Sequence, residues 1–152
     1  MKRKDMFGNP VDVGDTIMLI AQDGRYLRTE TVIRCGDSRC YFRNYKTFGI
    51  QDSYRPYEAL FSVSALNELA ENIEHAGENM CDALGNNLSV GDVVLFVETG
   101  YRRFQKGTVH SVAPQSCVIS FPRDCYGNTE GRRFYRDVVS LTKLGLQDKT
   151  IK

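Results

Sequence analysis

The sequence predicts a mainly β chain: two small barrels or sandwiches in tandem, related by internal duplication and joined by one amphipathic helix. Three observations carry this. One stretch occurs twice, as Asp5-Met6-Phe7-Gly8-Asn9-Pro10-Val11-Asp12-Val13-Gly14-Asp15 and as Asp82-Ala83-Leu84-Gly85-Asn86-Asn87-Leu88-Ser89-Val90-Gly91-Asp92. Each copy runs into a β-branched, apolar segment and then into short segments separated by turn residues about every 8 to 12 positions, the spacing of small all-β folds. Between the copies lies the one stretch with helical periodicity.

In the first copy, Phe7-Gly8-Asn9-Pro10 and Val13-Gly14-Asp15 are turns, because Gly supplies positive φ and Pro fixes the next φ. A strand is expected over residues 16–22, then an Asp23-Gly24 hairpin signal and a returning strand over 26–34. Gly36-Asp37 turns the chain into a third strand over 39–44. A polar and aromatic loop, 45–55, precedes a short closing strand over 57–63. The second copy repeats the plan, with strands over 93–98, 104–112 and 117–121, a loop over 122–132 and a closing strand over 134–141. The identities Arg25/Arg102, Thr31/Thr108, Val32/Val109 and Cys40/Cys117 keep one offset of 77, and a single inserted residue restores the match from Arg55/Arg133 onward. Such periodicity is the signature of a repeated module. The modules are expected at 5–63 and 82–144, with a helical acidic linker at 64–81. Each lies near the lower size limit for an independent core, so they are expected to lean on each other.

In the linker, Ser64 is placed as an N-cap and Gly77 as the C′ residue. Leu66, Leu69, Ala70 and Ile73 form an i, i+3, i+4, i+7 stripe, with Glu68, Glu71 and Glu74 opposite. The helix is expected over 65–76, its apolar stripe covering a barrel and its acidic face solvated.

The chain has 152 residues, 41% hydrophobic and 26% charged, as a folded rather than a disordered chain has. No apolar run approaches the roughly 20 residues that span a bilayer. The basic start Met1-Lys2-Arg3-Lys4 has no apolar segment behind it, so a secretory signal is excluded and a cytoplasmic location expected. The net charge of +1 hides a gradient: +2 over residues 1–66, −5 over 67–82 and +4 over 83–152. The five cysteines form no Cys-x-x-Cys pair and there are two histidines, so neither a metal nor a cofactor is expected. Cys40 and Cys117 read as small core residues.

Catalytic chemistry is sought without success. Neither His75 nor His110 repeats between copies or stands by a nucleophile, and there is no phosphate loop or His-Glu-x-x-His motif. Asp15 and Asp92 read as caps of their own turns. The chain is therefore not expected to be an enzyme.

The pattern Val90-Gly91-Asp92-Val93-Val94-Leu95 … Gly100 … Lys106-Gly107-Thr108-Val109 resembles the KOW motif and the opening hairpin of Tudor and other SH3-like barrels. In those families an apolar-Gly-Asp turn enters the first strand and a second Gly marks a bend in the next. The first copy departs from it, with Glu30 where Gly107 stands. Tandem copies resemble small bacteriophage nucleoid-associated or transcription regulators. The resemblance implies two SH3-like barrels acting as binding modules for nucleic acid, with DNA favoured over RNA, or for the transcription machinery.

The residues themselves point the same way, through basic side chains interleaved with aromatics. Arg and Lys neutralise phosphates and aromatic faces accept stacked bases. The candidate nucleic-acid-binding residues are Arg25, Arg28, Arg43, Lys46 and Arg55 in the first module. In the second they are Tyr101, Arg102, Arg103, Lys106, Arg123, Arg132, Arg133 and Arg136. Arg39, Tyr41, Tyr45, Phe48, Tyr54 and Tyr126 lie among them. Tyr41, Tyr57, Phe121 and Tyr135 are expected in the core. Two alternatives stay open: a Tudor-like module caging a cationic peptide side chain between aromatics, and an adaptor docking on RNA polymerase or the ribosome.

Overall fold

The computed structural model describes residues 3–21, 26–43, 52–66, 73–98, 103–124 and 126–150. They form two five-stranded antiparallel sheets, each curled into a barrel-like wall around its own core. The first contains β1 (Thr16–Ile20), β2 (Leu27–Cys35), β3 (Arg39–Arg43), β4 (Asp52–Pro56) and β5 (Leu60–Ser62), in the order β4-β3-β2-β1-β5. The second contains β6 (Val93–Val97), β7 (Phe104–Val112), β8 (Ser116–Ser120), β9 (Glu130–Phe134) and β10 (Val138–Ser140), in the order β10-β6-β7-β8-β9.

The two sheets match position for position. Ile17 faces Glu30 as Val94 faces Gly107. The register slips between Val32 and Arg34, and again between Val109 and Ser111. Each such bulge sharpens the twist of its long strand and helps the sheet to curl.

The repeated stretch has a mechanical role. Asp5 Oδ1 accepts the amides of Phe7 and Asn9 at 2.9 and 2.8 Å, and its Oδ2 accepts Ser62 N at 2.7 Å. Asp82 does the same with Leu84, Asn86 and Ser140, at 2.9, 2.9 and 2.7 Å. Each carboxylate closes the turn that follows it and pins that turn to the sheet's last strand. Gly8 and Gly85 make the turns possible at φ +86° and +80°. Asp15 and Asp92 cap their own turns, accepting Asp12 N and Ser89 N.

Three cores result. Ile17 and Leu19 of β1 face the first barrel with Val32, Cys40, Phe42, Tyr57 and Leu60. Val94 and Phe96 of β6 face the second with Val109, Cys117, Ile119, Tyr135 and Val138. The alternate residues, Met18 and Ile20 of β1 and Leu95 and Val97 of β6, meet in a third core between the sheets. Phe61 and Val63 join it from one side and their counterparts Val139 and Leu141 from the other. The rings of Phe61 and Phe104 stand 6.1 Å apart across the junction. This explains why β1 and β6 read as unbroken apolar runs: both faces are buried.

The structure corrects several expectations. The loops and closing strands resolve differently in both modules: an extra strand, β4 or β9, then a 3-10 turn, Tyr57–Ala59 or Tyr135–Asp137, then a three-residue strand, β5 or β10. The joining segment does not begin or end as the expected α-helix, and no α-helix occurs among the described residues. Ser64–Leu66 and Ile73–His75 are 3-10 turns, and 67–72, with Leu69, lie outside the described residues. Tertiary contacts account for the start of the segment. Ser64 Oγ accepts Thr16 N at 2.8 Å rather than capping a helix, and Leu66 is buried in the shared core.

Two outcomes follow. Phe61→Ala removes a ring from the shared core and should cost about 3–5 kcal/mol. Chemical denaturation followed by amide exchange should show both sheets opening in one transition; separate transitions would contradict a joint core. For Asp82, burial raises the carboxyl to about 6 although three amides favour its charged form. Its folded pKa lies above the unfolded value, so its stabilising contribution is full below about pH 4 and lost as pH rises through about 6. Denaturation of wild type and Asp82→Asn between pH 4 and 7 should show the wild type's relative stability falling as pH rises.

Candidate nucleic-acid interface

Strand alternation decides which arginines face out. In β3, Cys40 and Phe42 are buried, so Arg39, Tyr41 and Arg43 stand on the outer face. Register then aligns Arg34 of β2, Tyr41 of β3 and Tyr54 of β4 in one row across the sheet. The Arg34 guanidinium carbon lies 3.6 Å from the Tyr41 ring centroid and that of Arg39 lies 4.5 Å from Tyr54. The two tyrosine rings are 6.0 Å apart, tilted by 55°. Tyr54, on the edge strand β4, is 50% exposed. Tyr41 is thus not a core residue as expected. Tyr57 and Tyr135 are, their hydroxyls donating to the carbonyls of Gly36 and Ala113. Phe121 is half-buried, its ring 5.3 Å from Phe96. Arg34 went unnoticed in the sequence, although the alternation of β3 with buried Cys40 and Phe42 carried the signal for its row.

The same positions in the second sheet hold Ser111, Val118 and Arg132, so the row is not repeated. There the outer side of β9 and the turn after it carry Arg132, Phe134 and Arg136, all exposed, with Phe134 at 61%. Arg132 also donates to Ser116 Oγ at 2.7 Å.

The remaining candidates divide. Arg55 and Arg133 occupy equivalent inward positions opposite Cys40 and Cys117. Arg55 lies 5.8 Å over Phe42, and Arg133 lies 5.2 Å over Phe96 and donates to Val97 O at 3.2 Å. Burial lowers the pKa of both guanidinium groups. Arg28 shares the Phe42 ring with Arg55 and is ion-paired to Glu30. Arg28, Arg55 and Arg133 therefore brace barrel ends rather than project from the outer face. Arg103 is exposed and ion-paired to the buried Glu98 across the β6–β7 hairpin, the end that Arg133 also reaches. Lys106 donates to Lys149 O at 2.8 Å. Arg43 is exposed beside Thr31 and Ile33 in a surface groove of about 520 Å³, and Arg123 is exposed in the β8–β9 connection. Arg25, Lys46, Tyr101 and Arg102 lie outside the described residues.

Gly107 pairs in regular register with Val94, and the packing accounts for its missing side chain. A Cβ there would stand 2.5 Å from Ile119 Cγ2, 2.8 Å from Ser120 O and 2.9 Å from the Phe96 ring. In the first sheet Leu19 replaces Phe96, and Glu30 is held by Arg28.

Burial pushes the thiols of Cys40 and Cys117 up to about 11, which keeps them protonated near neutrality. No group of three or more His, Cys, Asp or Glu among the described residues is placed to hold a metal ion. No helix among them is long and apolar enough to cross a membrane.

Residues 80–144 match a family described as a domain of unknown function, DUF7205. The match takes in all of the second sheet, from the turn held by Asp82 to Leu144 in the shared core. No curated protein matches the chain.

The Gly107 contacts lead to one outcome. Gly107→Ala should destabilise the fold by about 1–3 kcal/mol, because β7, β8 and Phe96 must move apart. Thermal unfolding measures this, and an unchanged midpoint would contradict the close packing.

Proposed function

We propose that this chain is a non-catalytic nucleic-acid-binding protein, which holds phosphates through arginines on the outer faces of two tandem SH3-like modules. The observation that carries the reading is the company those arginines keep. On each sheet an exposed guanidinium shares the outer face with an exposed aromatic ring: Arg39 of β3 over Tyr54 of β4, and Arg132 on the same face of β9 as Phe134. Cations bind a phosphate backbone and exposed rings accept bases, the pairing used by sequence-tolerant nucleic-acid binders. The Tudor-like alternative is weaker on charge. Arg34 and Arg39 already stand against the Tyr41 and Tyr54 rings and would repel a second cation, whereas a neutral base meets no such repulsion. The adaptor reading draws on Val13 and Val90, equivalent turn residues that are both exposed.

The SH3-like assignment is supported by the 3-10 turn between the fourth and fifth strands of each sheet and by the close approach at Gly107. Internal duplication is supported by the matching registers, bulges and Asp5/Asp82 anchors. The preference for DNA, and a role in transcription or nucleoid regulation with the transcription machinery as a partner, rest on the resemblance to KOW-type bacteriophage regulators.

Fluorescence anisotropy of labelled duplex DNA at several salt concentrations tests the proposal. Binding should weaken steeply with salt, with a slope of about −0.9 per phosphate neutralised. Replacing Arg132 and Arg136 together by Ala should weaken binding to every sequence and flatten the slope by about one to two. Binding absent at low salt, or indifferent to salt, would overturn the reading.

A further inference from the structure

The two modules differ in one respect that bears on the form of nucleic acid bound. Only the first carries the row Arg34, Tyr41, Tyr54 with Arg39 beside it. Its counterparts in the second are small, aliphatic or basic: Ser111, Val118, Arg132 and Ser116. We infer that the outer face of β2–β4 is a stacking site for unpaired bases, so that the first module grips single-stranded nucleic acid. The inference rests on the nucleic-acid reading above and goes beyond it in naming the strand state.

The geometry supports this in three ways. Tyr54 stands half-exposed on an edge strand, beyond which no further strand pairs among the described residues, so the ring is exposed to a ligand arriving from the sheet edge. Its orientation is set in advance, with Arg39 4.5 Å from the ring centroid and Tyr41 6.0 Å away. A base therefore meets a ring that is already held, and less side-chain freedom is lost on binding. Finally, Arg34 and Arg39 place cationic charge within the same row, where the phosphates linking stacked bases would pass. A base inside a duplex presents its π-face to its neighbours, not to the protein, so this site favours strands whose bases are unpaired. Unpaired DNA and unpaired RNA share this chemistry.

The test uses the full chain and labelled oligo(dT), oligo(U) and a DNA duplex of matching length. The single strands should bind more tightly than the duplex. Tyr54→Ala should weaken single-strand binding by roughly 10-fold and duplex binding much less, while Tyr54→Phe should keep wild-type affinity. Because the chain contains no tryptophan, Tyr54→Trp supplies a reporter whose emission should fall when a base stacks on it. The two single strands show whether DNA, RNA or both occupy the site. If duplex binding is salt-dependent and needs Arg132 and Arg136, but single strands bind no better and Tyr54→Ala changes nothing, this inference fails alone. If none of the three ligands binds at low salt, the nucleic-acid reading fails with it.

Discussion

The structure depends on burying both faces of β1 and β6. A barrel-like sheet of some 60 residues encloses little apolar surface, and neither core here would be large by itself. The remedy lies in strand periodicity. Ile17 and Leu19 of β1 fill the first barrel while Met18 and Ile20 meet the second sheet, and in β6 Val94 and Phe96 fill the second barrel while Leu95 and Val97 meet the first sheet. The shared core adds Phe7, Met18, Phe61, Leu95, Val139 and Leu141 to the apolar area removed from water. It also determines which faces remain free. With β1, β5, β6 and β10 engaged, together with Phe104 of β7 and Leu27 of β2, the exposed side chains of β3, β4 and β9 lie away from the shared core, and the arginine-aromatic pairs lie there.

Two kinds of arginine arise from one sequence pattern. Arg55 and Arg133 alternate inward and end over Phe42 and Phe96, where burial makes their charge costly and cation–π contact offsets part of that cost. Arg39 and Arg132 alternate outward, and Arg136 is exposed in the turn after β9, where a guanidinium retains its hydration. Neighbouring residues such as Arg132 and Arg133 thus belong to opposite sides of the sheet, one serving the surface and the other the barrel end.

The modules keep the same scaffold where it bears on folding and diverge where it does not. The anchoring carboxylates Asp5 and Asp82, the turn glycines Gly8/Gly85 and Gly14/Gly91, the buried Cys40 and Cys117 and the buried Tyr57 and Tyr135 are counterparts. Gly107 and Glu30 differ with their surroundings: Ile119, Ser120 and Phe96 leave no room for a Cβ at Gly107, whereas Glu30 is ion-paired to Arg28. The outer faces diverge most, because exposed positions carry no packing constraint.

The repeat, its turns and the mainly β character were determined by the sequence alone, because turn chemistry is local. Gly8 and Gly85 supply φ values that other residues resist, and Asp15 and Asp92 bond amides three residues away. The tertiary structure decided what depends on distant contacts. Residues 64–66 have the composition of a helix start, yet Thr16 takes the Ser64 hydroxyl and the shared core takes Leu66, leaving a 3-10 turn. The short strands β4 and β9 were read as loop because their residues are polar and become strands only by pairing with β3 and β8. The row of Arg34, Tyr41 and Tyr54 joins residues 20 positions apart in the chain. Register, not composition, brings them together: a shift of one residue at the β2 bulge would turn the row to the opposite face.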